Sequence, residues 1–131
     1  MSVSLICVAL LALLVILLGF NVSMVRARTE TMYGAEPDPA GAMYKAVRAH
    51  GNTTEYAPLL ALLIYILGQA GASGWVVWAM VLATFSRYLF AAGIILPATM
   101  AQPHPLRFIG SLGTYLSGLA LIVALLLKAM G

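Results

Sequence analysis

Residues Arg48 to Gln69 read RAHGNTTEYAPLLALLIYILGQ, and the architecture turns on how this stretch passes from polar to apolar. Its purely apolar part, Tyr56 to Gly68, is too short to cross a hydrocarbon core of about 30 Å. Open backbone cannot lie in lipid, where its N–H and C=O groups find no partner, so a helix must complete the crossing. That helix recruits the preceding turns. From Arg48 to Gln69 it covers roughly 33 Å at about 1.5 Å per residue. Arg48, Asn52 and Glu55 are thereby drawn to or below the membrane surface. Pro58 lies inside the helix and is expected to bend it, leaving a carbonyl near Thr54 without its usual partner.

Composition makes the membrane unavoidable. Of 131 residues, 63% are hydrophobic and 8% charged, against about 45–50% and 25% in a soluble domain. A chain this small buries proportionally little surface and could not hide so much apolar area from water. A soluble globular enzyme, a disordered tail and a disulfide scaffold are excluded. The expectation is one integral membrane domain over residues 1–131. The net charge of +3 is too small and scattered for a nucleic-acid partner. The single cysteine, Cys7, sits in an apolar run and reads as a small buried side chain.

The other apolar runs extend from about Ser4 to Val25, from Trp75 to about Pro97 with Arg87 inside, and from Phe108 to Leu127. The expected helices are 4–25, 45–69, 74–97 and 106–128. The first run has neither a basic leader nor an Ala-x-Ala site after it, so it reads as a retained membrane helix. Asn21-Val22-Ser23 and Asn52-Thr53-Thr54 match the glycosylation pattern but fall at or inside membrane helices, and are read as chance. The long polar stretch Arg26–Tyr44 contains Pro37, Pro39 and Gly41; the other connections, Gln69–Gly74 and Ala98–Pro105, are short. Short connections make antiparallel neighbours, so the fold class is all-α, an integral membrane up-down four-helix bundle. Arg26, Arg28, Lys45, Arg48 and Arg107 flank connections one and three, which the positive-inside rule places in the cytoplasm with both termini outside; Lys128 alone opposes this.

Polar residues converge within this apolar chain. Arg48, Asn52 and Glu55 are spaced i, i+4, i+7 and fall within about 60° on one helix face, bordered by Tyr56. Glu55 lies roughly 10 Å below the cytoplasmic face and Arg87 about 12 Å. Each costs about 2.5–3.5 kcal/mol in lipid alone, so the two are expected to face the bundle interior and neutralise each other, directly or through a ligand. Arg107, Ser111 and Thr114 form a stripe on helix four. Structural readings exist for each residue: Arg48 snorkelling to headgroups, Asn52 as helix glue, Glu55–Arg87 as a register pair, Arg107 as an anchor. Gly110, Gly113 and Gly118 read as close-packing residues. His50 and His104 have no second ligand at useful spacing, so no metal site is expected. Convergence at one depth favours a site. Several guanidiniums suit carboxylates, gripped bidentately, and one acid suits an amine. A zwitterion richer in carboxylates than amines fits. No nucleophile–base pair, phosphate cradle or carboxylate dyad is present, so covalent chemistry would have to come from bound molecules.

The run Arg48-Ala49-His50-Gly51-Asn52-Thr53-Thr54-Glu55-Tyr56-Ala57-Pro58 resembles the signature of the membrane-associated proteins in eicosanoid and glutathione metabolism, the MAPEG family. Its pattern, Arg-Ala-x-x-Asn-x-x-Glu-x-x-Pro at the start of the second membrane helix, is met at all five defined positions. Size, helix order, the basic loop after helix one and Phe85-x-Arg87 agree with it. The variant His-Gly-Asn-x-x-Glu-Tyr is similar to that of bacterial members, which implies a bacterial inner membrane.

The resemblance implies a homotrimer that binds glutathione between subunits near the cytoplasmic face and acts on a hydrophobic, lipid-soluble substrate as a detoxifying transferase or peroxidase. It implies that Arg48, Asn52, Glu55 and Tyr56 hold the tripeptide, that Arg87 contributes from helix three, and that Arg26 or Arg28 reaches it from the loop. Arg107, matched across a gap, resembles the catalytic arginine that faces the thiol. A thiol with pKa about 8.5 is mostly protonated at neutral pH; a fixed cation roughly 4 Å away contributes up to about 4 kcal/mol toward the thiolate at an effective dielectric near 20. Phe90 and Ile94 stand where the eicosanoid branch has tyrosines. Two other readings remain open: a non-catalytic lipid-binding or scaffold member of the same fold, and a proton-coupled exporter using Glu55, which the absence of charge in helix one disfavours.

Overall fold

The computed structural model describes residues 2–131. Among these the chain is all helical, with α1 at Val3–Thr29, α2 at Ala42–Gln69, α3 at Gly74–Ile95 and α4 at Pro105–Ala129. Several termini have a local cause. The Ser2 hydroxyl accepts the Leu5 N–H at 3.4 Å and caps α1. At its other end α1 runs four residues past the expected Val25, because nothing in Arg26–Thr29 breaks a helix. Arg26 and Arg28 therefore belong to its last turn, where cations suit the helix dipole, and not to the loop. Glu30 then takes a left-handed conformation (φ 52°) and ends the helix. α2 starts at Ala42, three residues earlier than expected, and runs unbroken through Pro58. α3 ends at Ile95: Leu96 still has helical dihedrals and its N–H donates to the Ala92 carbonyl (3.0 Å), but Pro97 has no N–H to carry the ladder further. α4 opens with Pro105 in its first turn, where a missing N–H costs nothing.

The helices alternate in direction. At one end the Met100 N–H donates to the Pro39 carbonyl (2.8 Å), and Lys45 Nζ donates to the carbonyls of Pro97 (2.9 Å) and Ile95 (3.4 Å). Connections one and three are thus bound together. At the other end Lys128 Nζ donates to the Gly71 carbonyl of connection two (3.2 Å), which gives that isolated cation a local task.

α2 and α3 form the middle of the bundle, each packing on three other helices, while α1 and α4 flank them without touching. Leu11, Leu60, Ile64, Met80, Ala83 and Leu121 anchor the main core, and Cys7 is buried among them. A smaller cluster of Leu14, Leu18, Ala49, Ala91 and Ile94 lies toward connections one and three. The seam between α3 and α4 is closest: a Cβ on Gly93 would meet Arg107 Cα at 2.8 Å, and one on Gly110 would meet Phe90 Cα at 2.7 Å. Outward faces are apolar, with Ile16 68% and Trp78 69% exposed. α1, α3 and α4 are each long and apolar enough to cross a membrane. α2 carries the polar residues and lies antiparallel against α1 and α3.

Candidate functional site

Arg87 is the centre of the polar constellation. It sits mid-way along α3 and is 1% exposed, the largest fully buried side chain of the described residues. It lies eight residues before the end of α3, so about 12 Å from that end. Its guanidinium donates from Nη2 to Asn52 Oδ1 at 2.6 Å and to Thr53 Oγ1 at 3.4 Å. The Tyr56 ring lies with its centroid 5.1 Å from Arg87 Cζ and the Phe90 ring 4.9 Å from it. Both distances are within cation–π range. Arg87 Nε is buried with no hydrogen-bond partner. Two aromatic faces and two neutral oxygens therefore hold a charge to which no carboxylate of the described residues is bonded.

This corrects one expectation. Glu55 does not face the interior of its own bundle and does not pair with Arg87. Thr53, Ala57 and Leu60 form the buried face of α2, whereas Arg48, Glu55, Leu59 and Leu62 are exposed. Position 55 is two residues from position 53, about 200° around a helix of 3.6 residues per turn, so the pair cannot share a face. Asn52 and Tyr56 are half-buried at the border between the two faces. The outcome is a strip, Arg48, Asn52, Glu55 and Tyr56, along the outside of α2, with Arg87 behind Asn52 and Tyr56. A carboxylate left facing acyl chains there costs on the order of 2.5–3.5 kcal/mol. A polar group covering the strip would remove that cost.

The remaining basic residues lie at the same end but outside this cluster. Arg26 donates to the carbonyls of Thr31 (3.3 Å) and Gly34 (3.2 Å) and orders the start of connection one. Arg28 is exposed. Arg107 is half-buried in the first turn of α4. Its Nη2 donates to the Gln102 carbonyl at 2.7 Å and its Nη1 to the Met100 carbonyl at 3.2 Å. Its backbone lies against Gly93, six residues beyond Arg87 and so roughly 9 Å further along α3. A groove of about 450 Å³ opens beside it, lined by Phe90, His104, Phe108 and Ser111 among others. Phe90 is thus a shared wall, with Arg87 on one side and the Arg107 groove on the other. Ile94 is buried in the core beyond this point.

Two contributors escaped the sequence reading. Thr53, fully buried, supplies the second acceptor for Arg87. Tyr115 on α4 reaches the Tyr56 hydroxyl at 3.5 Å, with ring centroids 6.0 Å apart. Extending the Arg107–Ser111 spacing by another four residues arrives at Tyr115, so that signal was present. Among the described residues no group of three His, Cys, Asp or Glu side chains is placed to hold a metal. His50 packs against Gly19, where a Cβ would come within 3.2 Å of its Nε2.

Comparison with curated proteins and with solved structures returns no match. The model of the MAPEG family matches residues 4–127. That span contains all four helices except their outermost residues, the polar strip of α2 and the buried arginine of α3, and MAPEG proteins are membrane-bound, as the apolar outer faces require. The chain belongs to the MAPEG family.

Proposed function

We propose that the protein is a glutathione-binding membrane transferase or peroxidase that readies the glutathione thiolate for attack on lipid-soluble electrophiles. The observation that carries this reading is the exposed strip Arg48–Asn52–Glu55–Tyr56, backed by a buried Arg87. A tripeptide thiol with two carboxylates and one amine complements it: Arg48 suits a carboxylate, Asn52 a carbonyl or carboxylate oxygen, Glu55 the amine. The uncovered carboxylate of Glu55 also supports a homotrimer with the tripeptide between subunits, since a neighbouring chain removes that charge from lipid. The orientation proposed puts connections one and three, and the site, on the cytoplasmic side of a bacterial inner membrane.

Arg107 is the proposed catalytic residue, facing the thiol. Two carbonyls already hold its guanidinium fork, so its charge is fixed in advance and needs no reorganisation when a thiolate forms. Arg26 and Arg28 add positive charge nearby. The second reading, a non-catalytic lipid-binding or scaffold member, is favoured by Phe90 and Ile94, which offer no hydroxyl to the ligand. The test is conjugation of glutathione to a generic chlorinated aromatic acceptor by purified protein in detergent. The proposal expects turnover that falls sharply in Arg107→Gln and is lost in Arg48→Ala with Glu55→Ala. No turnover by the wild-type protein supports the non-catalytic reading instead.

A further inference from the structure

We infer that Arg87 is a positioning residue: it fixes the Asn52 side-chain amide with its N–H groups outward, so that Asn52 reads an acceptor oxygen of the ligand. The inference rests on the glutathione reading above and adds a division of labour between the two residues. An arginine guanidinium has only donors. A contact of 2.6 Å between Arg87 Nη2 and the Asn52 amide is therefore possible only with the amide oxygen turned toward Arg87. The orientation, usually ambiguous for an asparagine, is settled by the partner's chemistry. With Oδ1 committed inward, Nδ2 and its two protons point away from Arg87.

Arg87 itself is poorly placed to touch a ligand. It is 1% exposed, its Nε is sealed in the interior, and Tyr56 and Phe90 lie over its guanidinium. Asn52 is half-buried and stands on the strip between Arg48 and Glu55. The buried charge thus acts through the amide, polarising it and making its outward protons better donors. The ligand group that matches is an acceptor with no proton to offer, a carboxylate or a peptide carbonyl. Phe90 has a place in this device without a hydroxyl, because it is the ring face that holds the guanidinium against Asn52.

The test is Asn52→Asp, measured by calorimetric titration with glutathione in detergent alongside thermal unfolding. The new carboxylate forms an ion pair with Arg87, so the melting temperature is expected to hold or rise. The outward donors are gone, and glutathione affinity is expected to fall by about 10- to 100-fold, the range of a hydrogen bond to a charged group. Arg87→Met is expected to weaken binding when Asn52 is present and to have little further effect in Asn52→Asp, because both remove the same oriented donor. Where Arg87→Met does not fold, Arg87→Lys replaces it: lysine still donates to Oδ1 and should retain most of the affinity. Unchanged binding by Asn52→Asp, losses that simply add, or an Arg87→Lys loss as large as that of Asn52→Asp would each overturn the inference while leaving the glutathione reading intact. Absence of glutathione binding to the wild-type protein would overturn both.

Discussion

Substituting Gly110 by alanine inserts a methyl group into the seam between α3 and α4, where the structure leaves no room for one. The added Cβ would lie 2.5 Å from Phe90 N, 2.7 Å from its Cα and 2.8 Å from its Cβ. Carbon contacts settle at about 3.5–4.0 Å, so the two helices must part by about 1 Å. No rotamer change relieves this, because two of the three atoms are backbone. Overpacking of this kind costs about 1–3 kcal/mol, and alanine's better helix propensity returns at most about 1 kcal/mol. The net expectation is a loss of about 1–2 kcal/mol, or roughly 3–8 °C in melting temperature. Phe90 moves with its backbone, so its ring should also leave Arg87 and glutathione affinity should fall. Gly118→Ala is the matched control on the same helix: its Cβ would meet only Leu60 Cδ2, at an ordinary 3.5 Å. It should be neutral or slightly stabilising. Both variants can be followed by circular dichroism during heating in one detergent. Equal stability of the two would refute the close approach of α3 and α4 at Phe90.

Other outcomes follow from the same contacts. Gly93→Ala should destabilise at least as much as Gly110→Ala, because its Cβ meets the backbone of both Leu106 and Arg107; the same melting experiment decides. Lys45→Met removes the donor from the carbonyls of Ile95 and Pro97 and should cost about 1–3 kcal/mol, with hydrogen exchange rising first in connection three. Lys128→Met loses an exposed contact with Gly71 and should change stability by less than about 1 kcal/mol. Pro58→Ala restores the helical bond to the Thr54 carbonyl and should raise the melting temperature; a fall would mean that the proline itself is needed for packing against α1.

Much of the architecture was legible because its causes are local. The apolar runs, the short connections and the need to complete the α2 crossing from Arg48 onward fix four antiparallel helices without reference to packing. The ends of α1 and α2 were less legible. Arg26 to Thr29 carries no breaker, and the polarity used to end the helix at Val25 marks where a membrane stops, not where a helix does. The burial of Arg87 also followed from its depth. The outward turn of Glu55 did not: similar depth on different helices does not make a contact, because the angle around α2 decides which face a side chain joins, and the buried Thr53 and Ala57 fix that angle. Tyr115 extends the polar stripe of α4, but its contact with Tyr56 depends on how α4 meets α2, and the ring role of Phe90, one turn from Arg87 on α3, depends on the direction the guanidinium takes.

The central claim is that the outer strip of α2, braced by Arg87, holds glutathione. Isothermal titration of glutathione into the purified protein in detergent tests it most directly. Saturable binding to the wild-type protein that disappears in Arg48→Ala with Glu55→Ala, while the helical content of the variant stays intact, is the expected result. Absence of any binding heat from the wild type, or undiminished affinity in the double variant, would contradict it.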